Sequence, residues 1–192
     1  GTGAIDEKTR YLIAKEHKAI AIIQFKLEGQ LYNRHSEWKM QDRAMLERIN
    51  YEKGTINVDG KEYKLSSCNF PTVDPKNPNK LTKEEVKLVE KLHHSFEVSE
   101  KLHKHIKLML SHGSMYSIWN NNLLFHASIP LCEDGTMKNV EIYPGHTVSG
   151  QRLMTDVGML IRCAFQNDTA QEMKAYAIDY FMYLWCGPDS PL

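Results

Sequence analysis

The chain has 192 residues, enough for one domain or two small ones with a core of their own. It carries 24 basic and 24 acidic side chains, so no global field draws it to nucleic acid or to a membrane surface. No apolar stretch is long enough to span a bilayer, and no charged-then-apolar signal segment opens the chain. Cys68, Cys132, Cys163 and Cys186 stand far apart with no Cys-x-x-Cys pair, which argues against a disulfide framework or a zinc knuckle and fits a reducing cytosol.

Gly1 reads as a remnant of tag removal. Residues 5–27 then read as a helix. Ile13, Ile20, Ile23 and Leu27 form one stripe with Leu12, Ala19 and Ile22 beside it, which predicts a well-buried element. Gly29 supplies its left-handed stop. His17 lies on the same face and reads as a core or interface histidine. A polar loop with Arg34 and His35 leads to a second helix over 38–49, with Met45, Leu46 and Ile49 inward. A hairpin follows over 55–65, because Asp59-Gly60 between two alternating runs suits a type I′ turn.

The prolines at 71, 75 and 78 keep the next stretch extended. Thr82 and Glu85 form a capping box, with Leu81 stapled onto Val86, and open a long helix over 82–112. Its apolar positions run through Val89, Leu92, Phe96, Leu102, Ile106 and Met109, and Gly113 ends it. A helix of ~45 Å exceeds what one compact domain needs, so it should project from or cross over something larger. It carries His93, His94, His103, His105 and His112. Their spacings do not share one helix face and no His-Glu-x-x-His occurs, so interleaved lysines favour a solvated or phosphate-facing basic surface. A zinc site built on His103, His105 and His112 is a further reading.

Residues 115–119 read as a strand that pairs through the Asn120–Asn122 turn with Asn122-Leu123-Leu124-Phe125-His126-Ala127-Ser128-Ile129-Pro130. That apolar run, bounded by asparagines and a proline, reads as a strand buried on both faces. Pro130 stops the pairing, and the small Ala127 and Ser128 leave room beside His126. Two readings of His126 stay open: a satisfied core histidine, or a metal ligand at the carboxyl end of a strand, where open sheets place their sites.

Asp134-Gly135 marks another turn, residues 140–143 a brief extended piece, and Gly145-His146-Thr147 a polar loop given little weight. A helix over 151–165 has Leu153, Val157, Leu160 and Ile161 inward. A last, strongly apolar helix runs over 168–185 and stops at Cys186-Gly187-Pro188. The ending Pro191-Leu192, straight after that helix, reads as a cut. No nucleophile elbow, phosphate loop, dinucleotide fingerprint, Asp-x-His or Asp-x-x-Asp appears, so no catalytic residue is assigned. The residues alone specify a mostly helical α+β segment with an incomplete site.

The strand ending at His126 resembles the fourth metal-ligand segment of calcineurin-like metallophosphatases. Four blocks together resemble the class III fructose-1,6-bisphosphatases of Firmicutes and Bacteroidetes: Ala19-Ile20-Ala21-Ile22-Ile23-Gln24-Phe25-Lys26-Leu27-Glu28, Val58-Asp59-Gly60-Lys61-Glu62-Tyr63, Asn122 to Pro130, and Tyr183-Leu184-Trp185-Cys186-Gly187. The likeness runs nearly the whole length, in order. Ala127 departs from the glycine that the family often has after its histidine. The Gly145-His146 pair copies a later family motif only superficially.

The resemblance implies that this is the middle of a longer enzyme. Residues 1–114 would be a helical insertion containing the hairpin 55–65 and the long helix 82–112. Residues 115–132 would be strands of an incomplete metallophosphatase β-sandwich core, and 133–192 a helical segment leading to a missing C-terminal part. It implies cytoplasmic, metal-dependent hydrolysis of fructose 1,6-bisphosphate to fructose 6-phosphate and phosphate in gluconeogenesis. His126 would bind one of two divalent ions, with Mn2+ expected, and the pair would activate water for in-line attack on the 1-phosphate. Arg152, Lys138 and Asp189 are phosphate-side candidates. The expected partners are a sugar bisphosphate and the remainder of the same polypeptide, with a homo-oligomer open and neither nucleic acid nor membrane. The isolated chain would be inactive and would not hold the metal pair. The alternative is a non-catalytic helical interaction module docking through the helix 86–109.

Overall fold

A computed structural model describes residues 5–126 and 128–192. Ala127, expected to leave room beside His126, lies outside the described residues. Among the described residues about half are helical, chiefly in five α-helices, accompanied by small antiparallel sheets of two or three strands. The fold is therefore the expected mostly helical α+β class. The chain divides into two compact units, one through Glu97 and the other from Val98.

The first unit opens with α1 (Glu7–Arg34), capped by Asp6, whose carboxylate accepts from the Thr9 amide at 3.0 Å. The expected wide burial is found only in its second half: Ile22, Ile23, Lys26, Gly29 and Tyr32 are buried, whereas residues 5–20 are exposed. An apolar stripe shows which face seeks cover, not whether the neighbouring chain is long enough to supply it. Gly29 is not a stop either, since the helix continues to Arg34. Its missing side chain makes room for the buried Asn79 amide, which would overlap a Cβ at that position.

The helix expected over 38–49 is a series of short 3-10 turns, Ser36–Trp38, Gln41–Arg43 and Met45–Arg48. Lys39, at φ 54°, breaks the run. These turns fold Trp38, Met40, Ala44 and Leu46 under α1 as the unit's core. Strands β1 (Ile49–Asn50), β2 (Thr55–Val58) and β3 (Lys61–Lys64) form one antiparallel sheet. Asp59 and Gly60 both have positive φ, as the expected turn requires, with Ile56 opposite Tyr63.

The capping box holds. The Glu85 amide donates to Thr82 Oγ1 at 3.2 Å, and Glu85 Oε2 accepts from the Thr82 amide at 2.7 Å. It starts α2 (Lys83–Glu97). Glu85 also meets Lys26 Nζ at 2.7 Å, and that ammonium donates to the Thr72 carbonyl at 2.5 Å. Burial works to raise the Glu85 carboxyl, but the hydrogen bonds from Lys26 and the Thr82 backbone outweigh it and hold it below its ordinary value.

The expected single helix over 82–112 is two helices, α2 and α3 (Glu100–His112). Ser99 adopts extended backbone and caps α3 through its side chain, accepting from the Leu102 amide at 3.4 Å. A serine offers its own acceptor in place of the helix ladder, so the apolar periodicity survives while the rod does not. The stretch 86–109 named in the interaction-module alternative thus falls in two helices.

The second unit contains α3, the hairpin β4 (Tyr116–Trp119) and β5 (Asn122–Phe125), the hairpin β6 (Val140–Tyr143) and β7 (His146–Val148), and helices α4 (Gly150–Cys163) and α5 (Gln171–Cys186). Val140 and Ile142 pack with Leu153, Val157, Leu160, Tyr180 and Leu184 as its core. Arg162 of α4 fastens the end of α3, donating to the Gly113 carbonyl at 2.7 Å and the Leu110 carbonyl at 3.3 Å.

Candidate functional site

Asn120 and Asn121, both at positive φ, turn β4 back onto β5. The register pairs Tyr116 with Phe125 and Ile118 with Leu123, which puts these four on one face and Ser117, Trp119, Asn122 and Leu124 on the other. The first face lines a cavity of about 300 Å³ together with Met137, Gly150, Gln151 and Met154. Contrary to the expected double burial, β5 is exposed along its length, with Leu124 at 55% and neighbouring Trp119 at 70%. Apolar composition fixes the demand for a covering layer. Among the described residues no third strand pairs with this hairpin.

His126 follows β5 directly and is exposed. An accessible imidazole at a strand end fits the role of one metal ligand. Among the described residues, however, no group of three or more His, Cys, Asp and Glu could hold a metal ion. His126 can therefore supply only a part of such a centre. The reading of a zinc site on His103, His105 and His112 is overturned by the same observation; all three lie exposed along α3.

The chain beyond His126 is held at several points. The Lys138 amide donates to the Pro130 carbonyl at 3.0 Å, and Leu131 bridges Met137. Lys138 Nζ donates to Asp189 Oδ1 at 2.6 Å, which raises the lysine's pKa. Ser128 Oγ donates to the Ser190 carbonyl at 3.3 Å. Two of the phosphate-side candidates, Lys138 and Asp189, are thus each other's partners.

Arg152, the third candidate, is engaged separately. Its Nε donates to Asp156 Oδ2 at 2.8 Å, one helical turn along α4, and His146 Nε2 meets the same oxygen at 2.7 Å. Tyr143 stacks on His146 with ring centroids 4.6 Å apart. Burial works to raise the Asp156 carboxyl, but the Arg152 and His146 hydrogen bonds prevail and hold it below the usual carboxylate range. In the residue order alone Gly145-His146-Thr147 is a weak motif and no motif marks Asp156. The four-residue spacing of Arg152 and Asp156 was the available signal, since such pairs face each other on a helix.

The Firmicute fructose-1,6-bisphosphatase family matches residues 2–192. The chain belongs to that family. Among its relatives, the class 3 fructose-1,6-bisphosphatase of Clostridium novyi is 53% identical over 94% of this chain and 27% of its own length. That of Parabacteroides distasonis is 51% identical over 98% of this chain, and that of Bacteroides fragilis is 50% identical over 97%, each across 28% of the relative. The chain therefore spans little more than a quarter of these relatives. No solved structure matches it. Among the described residues no helix is long and apolar enough to cross a membrane.

Proposed function

We propose that the chain is a middle segment of a longer fructose-1,6-bisphosphatase, a cytosolic, metal-dependent phosphomonoesterase of gluconeogenesis. The observation that carries this reading is the extent of the likeness: half of the positions are identical over nearly all of this chain and a little over a quarter of the relative. In this reading the hairpin β4–β5 contributes strands to the enzyme's β-sandwich core. The apolar side chains left open on that hairpin support it, because an exposed patch of this kind marks a surface meant to be covered.

His126 then presents its imidazole to one ion of a divalent pair, Mn2+, whose other ligands come from elsewhere in the polypeptide. When bound, such a pair supplies charge neutralisation and an activated water for phosphoester hydrolysis. A catalytic metal needs about three protein ligands, so residues 1–192 alone are inactive. Two measurements test this. Phosphate release from fructose 1,6-bisphosphate by the purified chain with Mn2+ should be absent; metal-dependent release would refute the claim of inactivity. In the full-length enzyme, His126→Ala should weaken Mn2+ binding at least tenfold. Unchanged affinity would remove His126 from the site.

A further inference from the structure

We infer that Lys138 and Asp189 are positioning residues for His126, stapling the segment that follows it to the end of α5. The inference rests on the reading of His126 as a ligand and adds what holds that ligand in place. A metal ligand must stay within about 0.5 Å of its working position. A two-stranded hairpin exposed on its outer face does not provide such rigidity by itself. Three contacts hold the segment that follows it in sequence. Ser128, two residues on, bonds the Ser190 carbonyl. Pro130 accepts from the Lys138 amide, and the Lys138 side chain reaches Asp189.

The far side of the staple is itself anchored. Ser190 Oγ donates to the Leu184 carbonyl at 2.7 Å and accepts from the Leu192 amide at 3.1 Å. Pro191 is fully buried, and α5 is seated in the core through Ala177, Tyr180, Tyr183 and Leu184. The hydrogen bonds therefore connect the chain that follows an open hairpin to the buried core of its unit. They also engage the Lys138 ammonium, whose role in this inference is one of position.

The test uses the full-length enzyme and reads Mn2+ affinity by direct titration, with KM measured at saturating Mn2+. Lys138→Met and Asp189→Asn should each weaken Mn2+ binding about tenfold and leave KM within about twofold. Exchanging the charges, Lys138→Asp with Asp189→Lys, should restore the affinity to within about threefold. A loss caused by the new side chains themselves, and not by the broken pair, would not be rescued by the exchange. Unchanged Mn2+ affinity in both single variants, beside a weakened His126→Ala, would overturn the staple while leaving the ligand. A raised KM at saturating Mn2+ in Lys138→Met, not rescued by the exchange, would place the ammonium on substrate and also overturn it. Unchanged affinity in His126→Ala would remove the ligand and the staple's purpose together.

Discussion

Replacing Lys26 by methionine removes the ammonium to which the Glu85 carboxylate is bonded. The two side chains are 0% and 8% exposed, so water cannot take over as partner. Breaking one side of a buried pair costs about 3–5 kcal/mol. Glu85 keeps the Thr82 amide, so the low end, about 3 kcal/mol, is expected. Glu85→Gln should cost a similar amount, because it leaves the Lys26 ammonium buried with the Thr72 carbonyl. In the double variant Lys26→Met/Glu85→Gln neither charge remains, and glutamine still completes the capping box. Its cost should be about 1 kcal/mol, far below the sum of the single variants.

Urea denaturation measures this. Trp38 is buried in the affected unit, whereas Trp119 and Trp185 are exposed and can be replaced by phenylalanine to leave Trp38 as the reporter. With a slope of about 1–1.5 kcal/mol per molar urea, each single variant should lower the midpoint by about 2–3 M. Because the Glu85 carboxyl is held below its ordinary value of 4.5, its contribution is complete at neutral pH and is lost as the pH falls below that value. The wild type should therefore lose more stability between pH 6 and pH 3 than Glu85→Gln. Single variants within about 1 kcal/mol of wild type, or a double variant as damaged as their sum, would refute the account of a mutually dependent buried pair.

Asp156→Asn should cost about 1–2 kcal/mol, since the exposed Arg152 guanidinium can return to water while His146 loses a charged acceptor. The wild-type carboxyl is depressed, so its contribution disappears as the pH falls below about 4, and urea midpoints of the variant should change less over that range. Equal acid sensitivity would show that Asp156 is not held by its two partners. Gly29→Ala should destabilise the first unit by about 1–3 kcal/mol despite alanine's better helix propensity, because the new methyl must displace the Asn79 amide. A raised thermal midpoint would show that the packing against Asn79 yields freely.

Signals confined to a few neighbouring residues were legible. The capping box at Thr82, the Asp59-Gly60 turn and the apolar face of α4 each bring their cause within one or two turns of chain. Features that depend on distant residues were not legible. Gly29 looked like a terminator, and only Asn79, fifty positions later, shows it to be a close-approach site. The β5 run demanded burial, but its composition could not say what covers it. At the site, His126 was visible as an imidazole after a strand. Asp156 escaped notice because a carboxylate on a helix is ordinary until a hairpin brings His146 beside it.

By itself the sequence determined the mostly helical α+β class, the Asp59-Gly60 turn, the Thr82–Glu85 capping box and the position of His126 after a strand, because hydrogen-bonding geometry and backbone sterics act over a few residues. Only the tertiary structure decided that α1 is buried in one half, that Gly29 meets Asn79, and that Lys138 pairs with Asp189. Burial and ion pairing depend on which parts of the chain meet, and a one-dimensional pattern states what each face requires without stating what answers it.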